Sequence, residues 1–330
     1  MSKPQYANLI EQSDAFLSLK REVDRQCASH AYILNAPDNL AGALTARLFA
    51  VYCLTDGGES PEAELIYAQK HQDVIELPAI TAAGTVHDTV LTADIDSLIE
   101  GLYLRPVRGN QKFYIIHGAE TMNRQSQNKL LKTLEEPPAG VRIILNCRAS
   151  HRLLPTVLSR CKVLEIRSFP TGEILRELER HYPGKERNRL FAALARGSIA
   201  EAHSFVTDEK RVCLFDLCLE TLLSLKTSRN VLDAVAVLSG VKAEVDRITE
   251  FFEIILRDIM VFNEGLTDLI TLQENLVEIK TLAQNYSTAA CEKILPFLGK
   301  IKRRRQLNAN PGSLLDELMF TVAEYRVKYK

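Results

Sequence analysis

The segment KFYIIHGAETMNRQSQNKLLKTLEEPP (112–138) decides the fold. Its opening, KFYIIHG (112–118), is a short apolar run that reads as a strand buried on both faces. Ser126 to Leu134 then has helical spacing and stops at Pro137-Pro138, which cannot continue a helix. A strand passing to a helix without a hairpin turn is the unit of a parallel sheet.

The same alternation extends to both sides. Upstream, HAYILNA (30–36) reads as a strand followed by the helical LAGALTARLFAVYCL, and Asp73 to Leu77 as a second short strand. Ile95 to Leu104 has helical periodicity through Ile95, Leu98, Ile99 and Leu102. Downstream come the strand VRIILNC (141–147), a short helix from Leu153 to Leu158, and a last strand VLEIRSF (163–169). The expectation is an α/β domain, a parallel sheet covered by helices on both faces. Beyond Pro170 strands disappear. Thr171 to His181 and Glu186 to Ala195 read as helices, and Ser198 can cap a third, giving a small three-helix unit that ends near Thr207. From Asp208 onward only long helical patterns remain. Val245, Ile248, Phe252, Ile255 and Ile259 recur at helical spacing, as do Leu314, Leu315, Leu318, Met319, Val322 and Tyr325.

Composition narrows the functional classes. The 330 residues suffice for two or three domains with sizeable cores. Forty-one basic against 42 acidic residues give a net charge of −1, which argues against a strongly basic nucleic-acid binder and leaves room only for a local basic face. No run of 18 apolar residues occurs, and Met1 to Gln12 lacks a signal peptide's apolar core, so no membrane association and a cytoplasmic location are expected. Seven cysteines lie scattered, with only Cys213 and Cys218 close together. A tetrahedral zinc site needs four ligands, so neither a metal nor a disulfide framework is expected.

The block 112–138, together with LLPTVLSRC (153–161), resembles the bacterial clamp-loader branch of the AAA+ proteins. NKLLKTLEEPP departs from the family's NALLKTLEEPP at one position, and LNANPGSLLDELMF (307–320) is similar to the family's collar-domain ending. The resemblance implies an AAA+ domain over 1–168, a three-helix lid over 169–207 and an all-α collar domain for oligomerisation over 208–330. It also implies partners: tau/gamma- and delta-type subunits in a hetero-oligomeric ring, a sliding clamp, and primed DNA within the complex. The family's zinc module has no counterpart here, because Val51 to His71 holds only Cys53, and a loop without zinc is expected over 54–70.

The chemistry implied by the family can be checked residue by residue. A phosphate cradle needs glycines for close backbone approach, a Lys for the β/γ-phosphates and a Ser/Thr for Mg²⁺. The family's three loop glycines fall on Ala36, Asn39 and Ala41, its Lys on Gly42 and its Thr on Ala43, while Asp38 would repel a triphosphate. The Asp-Glu pair that should end the second site strand is His117-Gly118. Glu120 reads as a solvated loop carboxylate, and the family's nucleotide-sensing Arg aligns with Ala200. Four requirements of ATP hydrolysis are missing together, so no cofactor and no ATPase or polymerase activity of the chain itself are expected.

Ser159-Arg160-Cys161 is retained. An arginine supplied in trans can stabilise charge on a transferred phosphoryl group. The resemblance therefore assigns Arg160 to a neighbour's ATP and gives Ser159 a supporting role in the loop. The plain alternative is a surface arginine closing the helix at 153–158. Arg105, Arg108 and Lys112, in LYLRPVRGNQK (102–112), are candidates for a DNA-backbone or subunit contact, against a solvated loop. Lys302 to Arg305 reads as an exposed basic helix end, and His71 with Asp73 as a pair lacking a nucleophile. The reading is a non-hydrolysing clamp-loader subunit. An ATP-hydrolysing subunit of the same complex is the first alternative, discriminated by residues 36–43. A stand-alone DNA-binding adaptor is the second.

Overall fold

The computed structural model describes residues 3–55, 57, 60–78, 80–81, 89–225 and 228–329. Its contacts divide the chain into two compact units, Met1–Asn188 with Ala195–Ser204, and Arg189–Leu194 with Phe205–Lys330.

In the first unit the elements run α1 (Ala7–Glu11), α2 (Asp14–Asp24), β1 (Ala31–Asn35), α3 (Asn39–Thr55), α4 (Pro61–Tyr67), β2 (Val74–Leu77), α5 (Thr92–Leu102), β3 (Lys112–His117), α6 (Arg124–Glu135), β4 (Val141–Cys147), α7 (Pro155–Leu158) and β5 (Lys162–Glu165). Among the described residues five strands form one parallel sheet in the order β2-β3-β4-β1-β5. β1, β3 and β4 are buried almost throughout, which explains their continuous apolar runs. One face packs Ile33, Tyr114, Ile116, Ile143 and Leu145 against Ile95 and Leu98 of α5, Leu130 and Leu134 of α6, and Val157 of α7. On the other face Phe49 of α3 stands edge-on to Tyr32 and Phe113, at 5.4 and 5.9 Å.

Two expectations shift. The last strand ends at Glu165 rather than Phe169. Ile166 N still donates to Asn35 O, but Phe169 N turns away and donates to Gly197 O, so the chain has left the sheet. The 54–70 segment, whose residues 56, 58 and 59 lie outside the described set, contains α4. Ser60 caps that helix by accepting from Ala63 N, and Pro61 occupies its first turn, a start signal the loop expectation passed over.

The three short helices that follow are α8 (Thr171–His181), α9 (Asn188–Leu194) and α10 (Ile199–Thr207). α8 and the first six residues of α10 belong to the first unit, while Arg189–Leu194 of α9 belong to the second. Ser198 does cap α10, accepting from Glu201 N at 3.1 Å. The second unit continues with α11 (Glu209–Ser224), α12 (Ser228–Ser239), α13 (Val245–Asn263), α14 (Leu276–Ala283), α15 (Thr288–Gln306) and α16 (Pro311–Lys328). Its core is the pair of stripes read from periodicity: Val245, Ile248, Phe252, Ile255 and Ile259 on α13, and Leu314, Leu315, Leu318, Met319 and Val322 on α16, all buried, while Tyr325 at the end of the second stripe is only half-buried. Buried Asp258 accepts from Thr271 N and Leu272 N, fixing the α13–α14 connection.

Candidate functional site

In a parallel sheet of this kind ligands bind outside the carboxyl ends of the strands, where the strand order reverses. Here that place lies at the ends of β1, β3 and β4, under the start of α3. It is filled by protein. Residues His117 and Asn146 are partners in the β3–β4 register and are both fully buried. Asn146 Nδ2 donates to Asn39 O at 3.0 Å and to His117 Nδ1 at 3.1 Å. His117 Nε2 meets Glu76 Oε2 at 2.8 Å, and Arg47 grips the same carboxylate through Nε at 2.8 Å and Nη2 at 2.7 Å.

This chain of contacts is internally consistent. The Glu76 carboxylate can only accept, so His117 carries its proton on Nε2 and offers Nδ1 as acceptor to the Asn146 amide. Burial pushes the Glu76 carboxyl up. The hydrogen bonds from His117 and Arg47 and the Arg47 guanidinium charge outweigh it and hold the group below its ordinary value.

The positions expected to carry a phosphate cradle have the opposite character. Gly42 lies so close to β4 that a Cβ on it would meet Asn146 Oδ1 at 1.8 Å. The space for a side chain at the family's Lys position is therefore taken by Asn146. Asp38 is buried and immediately precedes α3, where its Oδ1 accepts from Ala41 N at 2.8 Å. Ala36 and Ala43 are buried and apolar. Glu120, expected to be solvated, is instead largely buried: one oxygen faces Arg148 Nε at 3.4 Å, and the other has no hydrogen-bond partner. No group of three or more His, Cys, Asp and Glu able to hold a metal occurs among the described residues. None of their helices is long and apolar enough to cross a membrane.

The Ser159-Arg160-Cys161 loop follows α7. Ser159 is exposed, and its hydroxyl donates to Thr156 O at 3.1 Å. Arg160 is partly buried and engaged within its own chain. Its Nε donates to Glu135 Oε1 at 2.7 Å, Nη2 contacts the same oxygen, and Nη1 donates to Thr156 O at 2.9 Å. Burial pushes the Cys161 thiol up to about 12, which disfavours the thiolate.

The segment 102–112 is anchored by buried Asp73, whose two oxygens accept from Val107 N and Arg108 N at 2.7 and 2.8 Å. His71 Nδ1 accepts from Asp73 N, which makes that pair a loop anchor. Arg105 and Arg108 are exposed. Lys112 is not: it is buried at the start of β3, and its ammonium donates to Gly101 O at 3.1 Å beside the Tyr114 ring. Only the two arginines of that trio face solvent. In the basic helix end, Lys302 pairs with Glu253 and Arg305 with Asp246.

Sequence reading passed over Arg47, Glu76, Asn146 and Glu135. For the first three a signal exists: each is a polar residue inside a mostly apolar run, ALTARLFAV, VIEL or VRIILNC. A buried polar group of that kind needs partners, and here the three find one another's neighbours.

The domain is a helix-covered parallel sheet whose strand-end crevice holds side chains of the protein itself. Comparison with known proteins places it further. Residues 11–170 match the family described as DNA polymerase III, delta subunit. The chain is 29% identical over 221 residues to DNA polymerase III subunit tau of Escherichia coli, covering 63% of this chain and 33% of that protein. It is 30% identical over 178 residues to DNA polymerase III subunit delta' of Haemophilus influenzae, covering 52% and 53%. The match thus spans between a third and about half of the length of these relatives. The fold matches that of a DNA polymerase III, gamma subunit-related protein from Thermotoga maritima, with a TM-score of 0.52 and 22% identity over 95% of this chain and 100% of that one. Over its sheet-containing part the chain is thus similar to clamp-loader subunits of DNA polymerase III.

Proposed function

We propose that the chain is a non-hydrolysing, delta'-type subunit of the DNA polymerase III clamp loader, which lends Arg160 to the ATP of a neighbouring subunit while a sliding clamp is loaded onto primed DNA. The observation that carries this reading is the closed crevice. With Asn146 against Gly42 and the acidic Asp38 at the head of α3, no cation or backbone cradle is offered to a triphosphate, yet the SRC loop is intact. The ATP-hydrolysing alternative, favoured by the length of the match to tau, would need a Lys and a Thr where Gly42 and Ala43 stand.

In the complex the chain would keep the family's three-part organisation, an AAA+ domain over 1–168, a lid over 169–207 and a collar over 208–330, joining tau/gamma- and delta-type subunits in the cytoplasm. The second unit supports an assembly role. Phe320 and Val327 on α16 are 52% and 67% exposed and line a groove of about 380 Å³ with Leu225, Val231 and Ala323. For Arg160 to reach a neighbour's phosphate it must leave Glu135, a pair exposed enough for the exchange to cost only about 1 kcal/mol or less. Titrating the isolated chain with ATP and Mg²⁺ in a calorimeter tests the closed crevice: no binding and no hydrolysis above background are expected. Micromolar affinity with turnover would make the chain a motor subunit instead.

A further inference from the structure

The Asp38 carboxylate does more than cap its own helix. Its Oδ1 accepts from Ala41 N in the first turn of α3, as an N-cap residue does. Its Oδ2 reaches 160 residues along the chain, where it accepts the Ser198 hydroxyl proton at 2.7 Å and faces Ala200 N at 3.4 Å. Ser198 is itself the cap of α10, accepting from Glu201 N. Two helix caps are therefore hydrogen-bonded to each other, and one carboxylate, 7% exposed, lies at the N-termini of both helices.

Negative charge is favoured at this place. The first amides of each helix have no partner within the helix, and the helix dipoles favour negative charge at these ends. The resemblance places the family's phosphate-binding Lys and Thr at Gly42 and Ala43 near the start of α3, and its nucleotide-sensing Arg at Ala200 near the start of α10. Asp38 touches both of these helix starts.

We propose that Asp38 is a built-in anion that stands in for a bound phosphate, tying the start of α10 to the start of α3 permanently and without nucleotide. A charge fixed by the chain cannot dissociate or be hydrolysed, so this joint does not respond to ATP. The proposal rests on the reading that the crevice is of nucleotide-binding type. It does not depend on Arg160, and its test involves no partner subunit.

Hydrogen exchange on the full chain reads the joint directly. In Asp38→Ala the amides of 199–204 should exchange roughly tenfold faster, while those of β3 and β4 keep their protection. Magnesium pyrophosphate at millimolar concentration should slow that exchange again in Asp38→Ala and leave the unsubstituted chain unchanged. Asp38→Asn covers the case in which the alanine variant does not fold. Its amide oxygen still serves Ala41 N, but Ala200 N loses its acceptor, so the start of α10 should loosen and that of α3 should not. Unaltered exchange at 199–204 in a folded Asp38 variant would overturn the proposal. So would a failure of pyrophosphate to restore protection in folded Asp38→Ala, since the carboxylate would then be a cap and not a phosphate surrogate.

Discussion

Arg160 and Glu76 show how differently two charged residues are used in one domain. Arg160 keeps its partner at the surface, with Glu135 half exposed, so the pair is weak and exchangeable. Glu76 is buried with Arg47 and His117, and losing a partner there would strand a charge in the interior. The sign of the resulting pH dependence follows from the lowered carboxyl of Glu76. Its stabilising contribution is complete above the ordinary value of 4.5 and is lost as pH falls through the lower folded value. Urea midpoints followed from about pH 6 to about pH 3 should therefore drop more steeply in the unsubstituted chain than in Glu76→Gln. Parallel curves would mean that the Glu76 carboxyl is not held down by its partners. The site was only half legible at this scale. The missing Lys, Thr, Asp and Glu could be read by position, whereas what fills their space depends on the approach of α3 to β4, which no linear pattern states.

Among the elements, α3 and β4 meet more closely than any side chain at Gly42 allows. Asn146 cannot swing aside freely, because its amide is committed to Asn39 O and His117. Gly42→Ala should therefore destabilise the domain by about 1–3 kcal/mol, even though alanine favours a helix, and Gly42→Lys should not create ATP binding. A thermal melt of Gly42→Ala at or above that of the unsubstituted chain would contradict this contact. Strands β1, β3 and β4 were legible because strands buried on both faces must be apolar throughout. The run VLEIRSF overstates β5 because Ile166 and Phe169 add apolar residues beyond Glu165, whereas the backbone at Phe169 has turned toward Gly197. α4 was passed over because seven residues give too little periodicity to register, although Ser60 and Pro61 marked its start.

For the whole molecule, the split between a sheet-containing part and an all-helical part was visible in the disappearance of strands after Pro170. The sharing of α8–α10 between two compact units was not, because it depends on packing between distant segments. If the helical unit assembles with other loader subunits through the exposed face of α16, replacing Phe320 and Val327 by Glu should weaken assembly by roughly tenfold or more. The isolated chain should keep its melting behaviour. Retained assembly would place the interface elsewhere.

In the proposed role, a chain with a closed crevice acts on another subunit's ATP through one guanidinium. Arg160→Ala should leave the chain folded, since a surface substitution changes stability by only about ±0.5 kcal/mol. Arg160→Lys should not rescue function, because an ammonium lacks the guanidinium's paired donors. The most direct measurement is single-turnover ATP hydrolysis by the complex reconstituted with each variant, in the presence of clamp and primed DNA. One class of sites should slow by roughly 10³-fold or more, while the sites served by other subunits' arginines should be unaffected. Unchanged kinetics at every site would show that Arg160 does no more than close α7 against Glu135.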